Sequence, residues 1–184
     1  MFALIFFLLM LVNCIPASPI GSWPTHELPT LLQSRAPTMA KYQAVKAAAK
    51  DDGISLSSGE WYYFQVCLLL VAPPANHIQQ STRCRHHMLL VGSVSGPSWI
   101  APKKFQGLAY HVGWYGEPKG WVMTSHDWEV HDTQKLFFGG KTTEERARPD
   151  NLNRLGNNWV EKTECHDLEF GNCLGFYKYM ARYL

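Results

Sequence analysis

The sequence predicts an α+β fold: an antiparallel sheet of four to five strands, a peripheral N-terminal helix, and a C-terminal helix packed on the sheet. Apolar and aromatic segments follow one another between residues 61 and 138, separated by loops that contain glycine and proline. An Ala- and Lys-rich segment precedes them at 39–50, and apolar residues at helical spacing end the chain at 173–184. Consecutive strands with helices kept to the two ends are typical of α+β domains.

The strands are predicted from their hydrophobic patterns. Residues 61–71 (WYYFQVCLLLV) are almost continuously apolar, which predicts a central strand buried on both faces. Residues 105–115 alternate large apolar side chains with small or polar ones, which predicts one buried and one more open face. Gly and Pro at 116–120 predict a hairpin loop. The remaining strands are predicted at 85–92, 121–130 and 134–138.

Residue patterns typical of helices precede and follow the strand-rich part of the sequence. Thr38 is a suitable N-cap for a helix over 39–50, whose apolar face is weak and therefore predicts a peripheral position. Asn172 is a suitable N-cap for the helix from Cys173 to Leu184, which should place Phe176 on the sheet. The polar stretch after Gly139-Gly140 predicts a long loop with a helical turn near 144–148.

The N-terminus has the pattern of a secretory signal peptide. Phe2 to Val12 is an unbroken apolar run, too short to span a bilayer and followed by Pro16-Ala17. We expect a signal peptide at 1–17, a Pro-rich flexible segment at 18–37 and a single α+β domain at 38–184. The mature protein is then expected to be secreted and extracellular.

The cysteines of a secreted protein are disulfide candidates. Of the 5 cysteines, Cys14 would leave with the signal peptide. The remaining four allow three connectivities, and proximity along the chain favours Cys67–Cys84 and Cys165–Cys173.

Composition excludes some functions. A net charge of +2 is too small to favour nucleic acid, and no second apolar run reaches membrane length, so no membrane association is expected after signal removal. Aromatic residues cluster around the predicted hairpin, where exposed rings would suit a protein or glycan partner. They are Trp99, Trp114, Tyr115, Trp121 and Trp128.

One group of residues suits covalent catalysis. Cys173 is expected to begin a helix, where free backbone N–H groups lower a thiol pKa and stabilise an oxyanion. His86 and His87 enter one strand, on opposite faces by alternation, and His111 lies on the next strand. A cysteine nucleophile, a histidine base and an orienting polar group are the parts of a cysteine hydrolase site. An imidazolium beside the sulfur would hold Cys173 as a thiolate near neutral pH.

These motifs carry a resemblance. A histidine-led apolar strand (HHMLLVG), further strands, and Asn-Cys-x-x-Phe opening a helix (NCLGF) resemble the circularly permuted papain-like hydrolases of the lecithin–retinol acyltransferase group. The resemblance covers roughly residues 85–184. It implies His87 or His86 as the base, His111 as the orienting residue and Cys173 as the nucleophile. The overall layout is also similar to that of some secreted fungal proteins of unknown role.

The sequence is therefore compatible with two functions. The first is a secreted, effector-like interaction protein without catalysis, in which Cys173 pairs with Cys165 and the histidines are ordinary strand residues. The second is a cysteine-dependent hydrolase or acyltransferase. No cofactor is expected, and no metal, because His86, His111 and His126 lack the spacing of a zinc motif.

Overall fold

The computed structural model describes residues 36–69, 81–96, 102–115, 119–162 and 173–184. These residues form one antiparallel five-stranded sheet with helices on both faces, which confirms the predicted α+β class. In chain order the elements are α1 (Ala36–Asp51), β1 (Trp61–Leu69), β2 (Cys84–Ser95), β3 (Lys104–Trp114), β4 (Trp121–Asp127), β5 (Gln134–Thr142), α2 (Glu144–Ala147), α3 (Pro149–Lys162) and α4 (Cys173–Ala181).

The strands lie in the order β4-β3-β2-β1-β5, so β2 is central and β4 and β5 form the edges. In the register of β1 with β2, Cys67 lies opposite His87. The register of β2 with β3 begins only at Leu89, opposite Tyr110. The first residues of β2 therefore pair with β1, while β3 continues its pairing with β4 from His111 onward.

One face of the sheet, here called the α1 face, is covered by α1. Val45 and Ala49 of α1 are fully buried against Phe64, Leu90 and Ala109 of the strands. The helix therefore contributes to the core although its weak apolar face predicts only a peripheral position. Small alanine side chains explain this, because they let the helix lie close to the sheet without a strong amphipathic pattern.

The opposite face, here called the α4 face, carries α4 over β2 and β3, and α3 over β4. Phe176 and Met180 of α4 are fully buried against Leu89 and Tyr110. The predicted packing of the C-terminal helix on the sheet is thus confirmed.

The predicted long loop after Gly140 is wrong in its main part, because residues 149–162 form the helix α3. Leu152 and Trp159 are buried on its inner side, and Pro149 occupies the first helical position, which proline tolerates well. Its Asn-rich sequence has low helix propensity, so packing of a few apolar residues outweighs the local preference.

The predicted disulfide between Cys67 and Cys84 is confirmed, with a Cα–Cα distance of 5.3 Å. It joins β1 to the start of β2. The expected partner of Cys173, Cys165, lies outside the described residues, as do the expected signal peptide and most of the Pro-rich segment.

Candidate active site

The site is centred on His87 of β2. Met88 and Leu90 belong to the α1 face and Leu89 to the α4 face, so alternation places His87 on the α4 face. Its side chain is 1% exposed. Nδ1 lies 2.7 Å from the amide nitrogen of Gln65 on β1, whereas Nε2 is buried without a hydrogen-bond partner among the described residues.

Cys173 lies beside His87, at the first residue of α4. Its thiol is free of any disulfide to a described cysteine, and the residue is half-buried. The backbone N–H groups of His87, Leu174 and Cys173 itself lie close enough to the sulfur to favour its thiolate form. At His87, β2 is not paired with β3, because the register of these two strands begins only at Leu89. The first residue of α4 lies there, and the backbone N–H of His87 faces the Cys173 thiol.

Burial keeps the Cys173 thiol and the His87 imidazole neutral at rest. It raises the pKa of the Cys173 thiol, because desolvation outweighs the three backbone donors that favour the thiolate. Burial, and then the charge of Lys178, lower the pKa of His87 to about 4. The expectation of a thiolate held by an imidazolium is therefore wrong for the resting state, in which the thiol and the imidazole are both neutral and share no hydrogen bond.

The other predicted site residues lie on the opposite face. Nε2 of His86 is 3.2 Å from Nδ1 of His111, and Nε2 of His111 is 2.9 Å from the hydroxyl oxygen of Thr124. Burial, and then the neighbouring His111, lower the pKa of His86 to about 3. Burial and His126 lower the pKa of His111 to about 4. The structure therefore brings the Cys173 sulfur to the backbone N–H of His87, with no hydrogen bond between the thiol and the imidazole, and separates both residues from His86 and His111.

The imidazoles of the α1 face do not form a metal centre. The ring centroids of His111 and His126 are 5.4 Å apart. Within the described ranges, no three His, Cys, Asp or Glu side chains are arranged to hold a metal ion.

Gln65 is the site residue that the sequence analysis missed. It is a single polar residue within an otherwise apolar strand, and its neighbours Phe64 and Val66 are fully buried on the other face. A lone amide at such a position indicates a buried polar partner, because an unpaired amide there would be costly.

The predicted aromatic cluster is divided in the structure. Tyr115 is 54% exposed, whereas Trp128 is buried and its Nε1–H donates to Oε1 of Gln134 at 3.1 Å. Trp121 packs against the core of the α4 face. Trp99 and the side chain of Trp114 lie outside the described residues.

Comparison with known proteins gives no relative. No protein-family model matches the chain, and no curated protein matches it. No solved structure matches it either. Among the helices of the described residues, none has the length and apolar character needed to cross a membrane.

Proposed function

We propose that the protein is a cysteine-dependent hydrolase or acyltransferase, with Cys173 as the nucleophile and His87 as the base. The observation that carries the proposal is the buried Nε2 of His87, which has no hydrogen-bond partner among the described residues, in a residue whose backbone lies against the Cys173 thiol at a helix start. A buried polar atom without a partner costs about 1–3 kcal/mol, so its retention calls for a reason. Accepting the proton of the thiol, once substrate binding brings the sulfur within hydrogen-bond distance of Nε2, is such a reason.

The reaction follows from the resting state. The sulfur of Cys173 attacks the carbonyl carbon of an ester or amide, and the thiol proton passes to Nε2 of His87. A sulfur–carbon bond forms, the bond to the leaving oxygen or nitrogen breaks, and the imidazolium returns its proton to that leaving atom. Water or an acceptor alcohol or amine then attacks the thioester carbonyl and gives a proton to His87. As the carbon–sulfur bond breaks, the sulfur takes that proton back and the resting thiol and imidazole are restored.

Two features support this chemistry. The backbone N–H groups of Cys173 and Leu174 belong to the first turn of α4 and lie near the sulfur at rest; in the reaction they turn to the developing oxyanion as its donors. Gln65 holds the ring of His87. With the amide turned so that Oε1 accepts from Nδ1–H, the lone pair lies on Nε2, as a base requires. In this proposal Gln65 takes the orienting role that the resemblance assigns to His111.

The cellular setting is part of the proposal. The Cys67–Cys84 disulfide supports folding in an oxidising compartment, and the expected signal peptide points the same way. The protein then acts outside the cell, on an ester or amide that it meets there.

The test is acylation by a simple activated ester. After brief exposure to p-nitrophenyl acetate, intact-protein mass spectrometry should find one acetyl group on Cys173. Cys173→Ala should remain unmodified, and His87→Asn should react at least about tenfold more slowly, since the base is lost. His131→Gln, at an exposed histidine, is the matched control and should react like the unmodified sequence. An unreactive wild type, or His87→Asn reacting at the wild-type rate, contradicts the proposal.

A second candidate is the non-catalytic interaction protein. A groove of about 370 Å³ lies along α1. Exposed Met39 is among the residues that line it, together with Lys46 and Lys103. An unreactive Cys173 would leave this function as the better account, with Cys173 and His87 as parts of the core.

A further inference from the structure

Two lysines stand on either side of the candidate active site. Lys178 lies on α4, five residues after Cys173, and its charge acts on His87. Lys135 lies on β5, opposite Cys67, which in turn lies opposite His87. Both lysines are exposed. In the described part of the chain, no carboxylate lies within ion-pair distance of either.

An exposed aromatic ring lies in the same region. Phe137 of β5 is opposite Gln65, the residue bonded to His87, and 41% of its surface is exposed. Nζ of Lys135 lies 4.9 Å from the centroid of the Phe137 ring. Alternation places Phe137 and Lys135 on the α4 face, beyond the strands that α4 covers. The sheet beside the reactive pair is therefore open, cationic and partly aromatic.

We propose that the acyl substrate carries a negative charge close to its scissile carbonyl, held by Lys178 and Lys135, and an apolar part that contacts Phe137. This inference rests on the proposed function, since it concerns the group that approaches Cys173. Two cations that have no carboxylate partner among the described residues attract an anion. The exposed ring of Phe137, beside Lys135, offers a surface for an apolar group. Neutral esters are then poorer substrates than esters of dicarboxylic or phosphorylated acyl groups.

The test needs no knowledge of the natural substrate. Iodoacetate and iodoacetamide alkylate the same sulfur and differ in charge. The rate ratio of iodoacetate to iodoacetamide at Cys173 should exceed the ratio for N-acetylcysteine amide by about threefold or more at low salt. The excess should shrink as NaCl is added, because the Debye length shortens to about 8 Å at 0.15 M ionic strength.

Variants locate the charge. Lys178→Gln should lower the ratio at least about twofold, whereas Lys178→Arg should retain it. Adding Lys135→Gln to Lys178→Gln should lower the ratio further. Lys46→Gln, at an exposed lysine of α1 on the other face, is the matched control and should leave the ratio unchanged. A reactive Cys173 with the ratio of a model thiol overturns this inference and leaves the proposed function standing. A Cys173 that reacts with neither reagent overturns both.

Discussion

The amide nitrogen of Gln65 lies 2.7 Å from Nδ1 of His87, in a contact between side chains of β1 and β2. It is the one hydrogen bond that the buried imidazole makes within the described residues. The contact therefore fixes the orientation of the ring, and the amide orientation decides which ring nitrogen carries the hydrogen. With the amide nitrogen at Nδ1 the hydrogen lies on Nε2, whereas with the amide turned so that Oε1 accepts from Nδ1–H the lone pair of Nε2 is left for chemistry.

Replacing Gln65 by Leu should destabilise the protein. The change leaves both nitrogens of His87 buried without partners, so the free energy of unfolding should fall by about 1–3 kcal/mol in urea titrations. Gln106→Leu, at an exposed position of β3, is the control and should change it by less than about 0.5 kcal/mol. Equal effects of the two substitutions would show that the Gln65–His87 contact does not matter for stability.

Stability should fall as the pH falls below 6.5. The folded pKa values of His86, His87 and His111 are about 3, 4 and 4, against 6.5 for a free imidazole. Below pH 6.5 the unfolded chain therefore binds more protons than the folded one, and protonation favours unfolding.

The measurement is urea unfolding at pH 7.5 and 4.5. The free energy of unfolding should be at least about 2 kcal/mol lower at pH 4.5. The double variant His86→Gln/His111→Gln should show a smaller difference. Greater stability at pH 4.5 than at pH 7.5 would contradict the depressed pKa values.

Phe176 should be a main contributor to the core of the α4 face. It is fully buried, and its ring centroid lies 5.5 Å from that of Trp159 on α3. Phe176→Ala should therefore cost about 3–5 kcal/mol. Tyr183→Ala, at a ring that is 46% exposed, serves as the comparison and should cost much less. A loss below about 1 kcal/mol at Phe176 would mean that α4 does not complete the core.

Much of the fold follows from local patterns. Alternation predicts the strands, and the stripe through Phe176 and Met180 predicts the packing of α4. The alternation along β2 also predicts that His86 and His87 lie on opposite faces of the sheet. The helix α3 was missed because its Asn-rich sequence hides Leu152 and Trp159, which become meaningful only once a sheet lies beneath them.

The site was predictable in part. The sequence predicts a helix that begins at Cys173 and packs on the strand that begins with the histidines. This packing is enough to bring Cys173 near His87. That His111 lies on the other face follows from the register of β2 with β3, in which Leu89 is opposite Tyr110. A shift of one residue would move His111 to the α4 face, and no local pattern determines that register. The direction in which the pKa of the Cys173 thiol shifts likewise depends on how deeply the packed structure buries it.

The most direct test of the account is the pH dependence of Cys173 acetylation by p-nitrophenyl acetate, with and without His87. With a base of pKa about 4 beside a thiol of raised pKa, the rate should rise near pH 4 and stay level from about pH 5 to 8. In His87→Asn the level region should disappear, and the rate should rise about tenfold per pH unit, as for an unassisted thiol. A wild-type rate that climbs with pH in the same way as the variant would contradict the role of His87 as the base.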